Sequence, residues 1–122
     1  MGIIARDKGH GFEREIAIRL REVFPRARRQ LEYQIQDCKG VDIAETGHYR
    51  IQCKRLKKYV NPSKIEEIQL QMPEVEIPVL ITKADRKPAL AVLPLDVLIR
   101  LLTIAETFAY DTVTKTYVKH SR

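Results

Sequence analysis

The residues whose types and spacing bear chemistry are Asp42, Gln52 and Lys54, with Glu13 upstream on a helix. Asp42 lies in Gly40-Val41-Asp42-Ile43-Ala44, and the other two in Tyr49-Arg50-Ile51-Gln52-Cys53-Lys54-Arg55. Both segments read as short strands joined by a turn at Thr46-Gly47, so an acid, an amide and a lysine can meet. Oxygen ligands for a hard cation beside an ammonium are the equipment for cutting a phosphodiester. In such a site Asp42 is the central carboxylate ligand of Mg²⁺, with Mn²⁺ as a substitute. Gln52 offers an amide oxygen and Cys53 its backbone carbonyl. Glu13 completes the cation site or a second one. Lys54 orients or deprotonates the attacking water and offsets charge on the phosphate. The plain alternative for Asp42 and Lys54 is a surface ion pair, and for Glu13 a surface acid paired with Lys8 or Arg14. An acid between Val41 and Ile43, in a strand where acids are unfavourable, weighs against that alternative, because a buried charge needs a partner or a metal.

The positioning elements follow from periodicity. Phe12, Ile16, Leu20 and Val23 recur on one face of a helix over residues 8–24, with Asp7 as N-cap and Pro25 beyond its end. Glu13 falls on the flank of that stripe. Residues 29–36 alternate, with Leu31, Tyr33 and Ile35 on one face, and predict a half-buried strand. Residues 41–45 and 48–55 follow as a hairpin. In its second strand Tyr49, Ile51 and Cys53 share one face, and Arg50, Gln52 and Lys54 the other. Cys53 therefore points to the core, and its thiol is no nucleophile.

Asn61-Pro62 predicts the start of a helix running to about Met72, with Ile65, Ile68 and Met72 or Leu70 inward. Residues 75–83 read as a central strand with Pro78 near its start, and Ala89–Leu93 as another buried strand. Leu95–Ala105 reads as a helix with Leu95, Leu98, Ile99 and Leu102 facing in. Residues 106–122 read as a loose tail or an edge strand, suited to a subunit contact. The order gives one α/β domain over residues 1–105, its central mixed sheet of about five strands flanked by helices.

At 122 residues, 44% apolar and 31% charged, the chain fits one soluble core. No stretch predicts a membrane span or secretory signal, and Cys38 and Cys53 match no metal-ligand spacing. A reduced cytoplasmic setting is the simple expectation. The net charge of +6 favours a polyanionic partner. Basic residues bracket the constellation: Lys8, Arg14, Arg28 and Arg29 before it, and Arg55, Lys57, Lys58 and Lys64 after it. Each is also readable as a solvated surface charge. No aromatic platform for stacking single-stranded bases stands out. His10 and His48 read as residues at element ends, in contact with solvent or DNA.

Asp42…Gln52-Cys53-Lys54 resembles the PD-(D/E)xK nuclease motif in a Q-x-K form. Lys8-Gly9-His10-Gly11-Phe12-Glu13-Arg14-Glu15 is similar to the opening helix of Holliday junction resolvases, where the glutamate matching Glu13 is catalytic and metal-associated. The segments around Asp42 and Gln52-Cys53-Lys54 also look like the catalytic core of Mrr-type restriction endonucleases. Ile77-Pro78-Val79-Leu80-Ile81 and the residues through Asp96 resemble phage-encoded resolvase-like endonucleases. The resemblance covers roughly residues 8–103. It implies a restriction-endonuclease-like fold, Mg²⁺-dependent cleavage of four-way or branched DNA, a two-fold homodimer and a phage source. It also implies Lys8, Arg14, Arg28, Arg29, Arg55, Lys57, Lys58 and Lys64 as the DNA-binding residues, holding duplex or branched DNA through its backbone. The chain departs from the family at Gln52, where an acid is usual, and a neutral ligand predicts weaker metal binding. Two other readings stay open: a restriction- or repair-type nuclease on linear duplex, and a DNA-binding module with a decayed site.

Overall fold

The computed structural model describes residues 2–30, 41–70 and 76–119, without the side chains of residues 2–8, 109 and 119. It is a mixed α/β domain with three helices around a five-stranded sheet. The elements are α1 (Gly2–Leu20), β1 (Arg28–Arg29), β2 (Ile43–Ala44), β3 (Tyr49–Leu56), α2 (Lys64–Leu70), β4 (Ile77–Ala84), β5 (Leu90–Val92) and α3 (Leu95–Ala105). A hairpin of β6 (Phe108–Asp111) and β7 (Thr116–Lys119) follows. The sheet order is β1-β2-β3-β4-β5, with β3 and β4 parallel and the other neighbours antiparallel. The β3–β4 pair needs a crossover, and α2 supplies it.

Two cores form on the two faces of β3 and β4. On one face Phe12, Ile16 and Ala17 of α1 pack with Ala27, Ile43, Ile51 and Cys53, and with the half-buried Val79 and Ile81. On the other, Leu80 packs with Val60 and with Ile68 of α2. Strand alternation explains the division. Odd positions of β3 and β4 look to α1, and even positions look to α2, because the side-chain period of a strand is two. Register aligns them, Gln52 with Leu80 and Lys54 with Thr82.

Several expectations change. α1 begins at Gly2, so Asp7 lies inside the helix rather than at its N-cap position, and His10 is mid-helix rather than at an end. The helix stops at Leu20, and Val23 stands in the following turn, 70% exposed. The strand expected over 29–36 is seen only as Arg28–Arg29, and its later positions, with Met72, fall outside the described residues. Leu70 points outward, whereas Ile68 is buried. Asn61 opens the turn that leads into α2, its Oδ1 accepting the Ser63 N–H at 3.0 Å, but the helix itself begins at Lys64, so Asn61 is not its cap and Pro62 is not its first residue. Pro78 occupies the second position of β4.

The β2–β3 turn carries left-handed backbone at Glu45 and Gly47 (φ 63° and 62°). At Gly47 a Cβ would meet the Phe24 ring at 3.4 Å, an ordinary contact, so it is the left-handed backbone that suits glycine there. His48, exposed, precedes β3. β5 is an edge strand with Leu90 and Ala91 exposed, not a buried one, because no further strand covers it among the described residues. The C-terminal residues form their own two-stranded hairpin rather than an edge of the main sheet.

The largest reversal is α3. Its bounds match the periodicity, yet Leu95 (68%), Leu98, Ile99 and Leu102 are exposed and only Val97 is buried. Asp96, Val97 and Arg100 instead line a groove with Glu76 and Pro78. A hydrophobic stripe specifies that a face will be covered, but not by what.

Candidate active site

The site begins where β2 leaves β3. Asp42 lies one residue before β2, not within it, and its N–H still donates to the Ile51 carbonyl at 2.8 Å. The Ile51 carbonyl faces β2, so by alternation the Cys53 N–H faces β2 as well. At that point β2 has ended. The Asp42 side chain takes the place of a strand carbonyl, and Oδ2 accepts the Cys53 N–H at 2.7 Å. The Asp42 carbonyl accepts the Gln30 N–H at 2.8 Å, which fixes the residue from the β1 side as well.

This seat is poorly hydrated. Burial pushes the Asp42 carboxyl up from 3.8 to about 6, against the lowering effect of the Cys53 N–H; Glu13 pushes it up further, while Lys54 and Arg29 pull it down. Burial, then the charges of Asp42 and Glu13, raise the Cys53 thiol far above its ordinary value. That agrees with a core thiol that is no nucleophile. Glu13, Lys54 and Arg29 therefore all act electrostatically on Asp42, although the four arrive on four separate segments.

Glu13 approaches from α1, and Gln52 and Lys54 emerge on the opposite, α2 side of the sheet. Asp42 sits at the fork between them. Glu13 is bound to Arg29, whose Nε donates to its Oε2 at 2.9 Å, with both side chains mostly buried. This pair replaces the surface pairing with Lys8 or Arg14 as the alternative for Glu13, and sequence spacing alone did not point to it. Gln52 makes no hydrogen bond to Asp42 among the described residues; it shares a groove wall with the exposed Lys54.

Of the candidate DNA-binding residues, Arg14, Arg28, Lys57, Lys58 and Lys64 are exposed. Arg29 is committed to Glu13. Arg55 is half-buried, and its Nε lacks a hydrogen-bond partner among the described residues. The side chain of Lys8 lies outside the description. Lys64 bonds Glu67 at 3.1 Å in a solvent-exposed pair.

As a cation site, the set has two carboxylates, an amide and a backbone carbonyl. Among the described residues no three of His, Cys, Asp and Glu converge, so Gln52 and the Cys53 carbonyl would have to complete a shell. The raised Asp42 carboxyl fits such a role: it is largely withdrawn from water, and a cation would offset that cost. Comparison with models of protein families, with characterised proteins and with solved structures gives no match for this chain. No described helix is long and apolar enough to cross a membrane.

Proposed function

We propose that this chain is a Mg²⁺-dependent endodeoxyribonuclease of the PD-(D/E)xK kind, acting on branched DNA such as a four-way junction. One observation carries the reading: a dehydrated Asp42 carboxylate seated on the Cys53 N–H at 2.7 Å, with Glu13 and Lys54 in electrostatic reach. Asp42, Glu13, Gln52 and the Cys53 carbonyl would hold the cation. A divalent cation supplies Lewis-acid polarisation of the phosphate at such a site. The Cys53 N–H keeps Asp42 oriented. Arg29 holds Glu13 in place. The Lys54 ammonium orients water and offsets charge on the phosphate as it is attacked. The exposed lysines beside it, Lys57, Lys58 and Lys64, would anchor the DNA backbone.

The working unit is a homodimer joined through α3. Its only charges, Asp96 and Arg100, line the groove on its far side. In a chain of net charge +6, two copies repel wherever their lysines and arginines meet. The uncharged Leu95–Leu98–Ile99–Leu102 stripe is where they meet without that cost, and an isologous contact covers it with itself.

A DNA-binding module with a decayed site is favoured by two features, Gln52 in place of an acid and Glu13 tied to Arg29. Labelled four-way junction and matched linear duplex, each with Mg²⁺ or Mn²⁺, separate the readings. Paired symmetric nicks confined to the junction support the resolvase. Equal cutting of both favours a linear-duplex nuclease. Binding without cutting under either metal leaves the decayed module.

A further inference from the structure

Three even positions of β3, Gln52, Lys54 and Leu56, open onto a groove of about 710 Å³ on the α2 side of the sheet. That is within the range of small-ligand sites. Two chemistries meet in it. Its apolar part is formed by Val60, which is buried, Tyr59, half-buried, and Leu56, 55% exposed. The Tyr59 hydroxyl donates to the Pro88 carbonyl at 2.6 Å, which restrains the ring. Its rim is cationic, with Lys54, Lys57, Lys58 and Lys64 all exposed. The Lys64–Glu67 pair is too solvated to withhold Lys64 from a ligand.

A continuous duplex backbone asks only for charge. An aromatic and aliphatic wall inside a lysine rim fits a flat apolar ring with phosphates on either side, as a strand presents where its base is unpaired.

We propose that this groove holds an unpaired DNA nucleotide next to the phosphate being cut, its base against Leu56 and Tyr59 and its phosphates among the lysines. This rests on the nuclease reading and deepens it. The substrate class becomes duplex interrupted by an unpaired nucleotide at a bulge, flap or branch point, and the interruption is read at Leu56 and Tyr59.

The chain has no tryptophan, so Leu56→Trp places a single fluorophore at an exposed position. The full chain carrying it is titrated, in chelator, with labelled duplex bearing one bulged nucleotide and with the matched continuous duplex. DNA anisotropy reports binding, and tryptophan emission reports stacking. The expected result is stronger quenching at saturation by the bulged duplex. Leu56→Glu in the otherwise unaltered chain should lower the bulged-over-continuous affinity ratio by about tenfold, the usual effect of losing one stacked base. Equal quenching by both duplexes, or an unchanged ratio, overturns the groove assignment. It does not touch the nuclease reading, which is measured separately by cleavage with Mg²⁺. Failure to bind either duplex, together with no cleavage, overturns both.

Discussion

The Asp42 carboxylate accepts the backbone N–H of Cys53 at 2.7 Å, at the point where β2 has left the sheet and offers β3 no further carbonyl. A side chain thus completes a backbone ladder, and the cost is a carboxylate largely withdrawn from water. The Asp42 carboxyl titrates at about 6 instead of 3.8.

That displacement makes a pH prediction. The folded value lies above the unfolded one, so the folded chain takes up its proton first as the pH falls. The Asp42 contribution to stability is therefore least favourable above about pH 6 and improves as the pH drops toward about 4, by up to about 3 kcal/mol. Urea midpoints of the metal-free chain and of Asp42→Asn, measured at about pH 5 and about pH 7.5, should show a smaller pH dependence on this account in the variant. Identical pH slopes would contradict the buried carboxylate.

Adding Mg²⁺ at neutral pH should raise the melting temperature of the chain and not that of Asp42→Asn, since a ligand stabilises only the state that binds it. The same variant should lose cleavage by about 10²–10³-fold, the usual effect of removing one electrostatic contributor to a transition state. A variant that cuts as well as the parent refutes the site.

Arg29 holds Glu13 at 2.9 Å and also lowers the Asp42 carboxyl. Arg29→Ala should destabilise the fold by about 1–3 kcal/mol, because it leaves a mostly buried carboxylate without its cation. It should also push the Asp42 carboxyl higher. A carboxyl-detected NMR titration reads the second effect directly, and an unmoved Asp42 midpoint would show that the two sites are not coupled.

Glu76 accepts from Arg50 at 3.0 Å and ties the start of β4 to β3, with the Arg50 side chain almost wholly buried. Glu76→Gln should cost about 2 kcal/mol in chemical denaturation, largely the penalty of a buried guanidinium with one fewer carboxylate. Loss below about 0.5 kcal/mol would mean the pair behaves as a surface bridge.

The α3 stripe predicts assembly. Leu98→Glu should shift the sedimentation mass from two chains to one while leaving the circular dichroism unchanged, since Leu98 is exposed in a single copy. A parent chain that sediments as a monomer at every concentration would remove the dimer.

The sequence alone settled what depends on local periodicity. The period of two put Cys53 inward and Gln52 and Lys54 on the other side of β3. The period of 3.6 placed Phe12, Ile16 and Leu20 in the core. The bounds of α3 were legible for the same reason. Tertiary structure decided what depends on partners far along the chain. Asp42 reached Cys53 because β2 begins only after it, leaving the Cys53 N–H without a ladder carbonyl. Glu13 met Arg29 because α1 packs over β1. The α3 leucines faced outward because the groove beside Glu76 took Asp96, Val97 and Arg100 instead. Tyr59 entered the groove wall because Pro88, from another turn, holds its hydroxyl. Periodicity names the face of an element, but only packing names what that face meets.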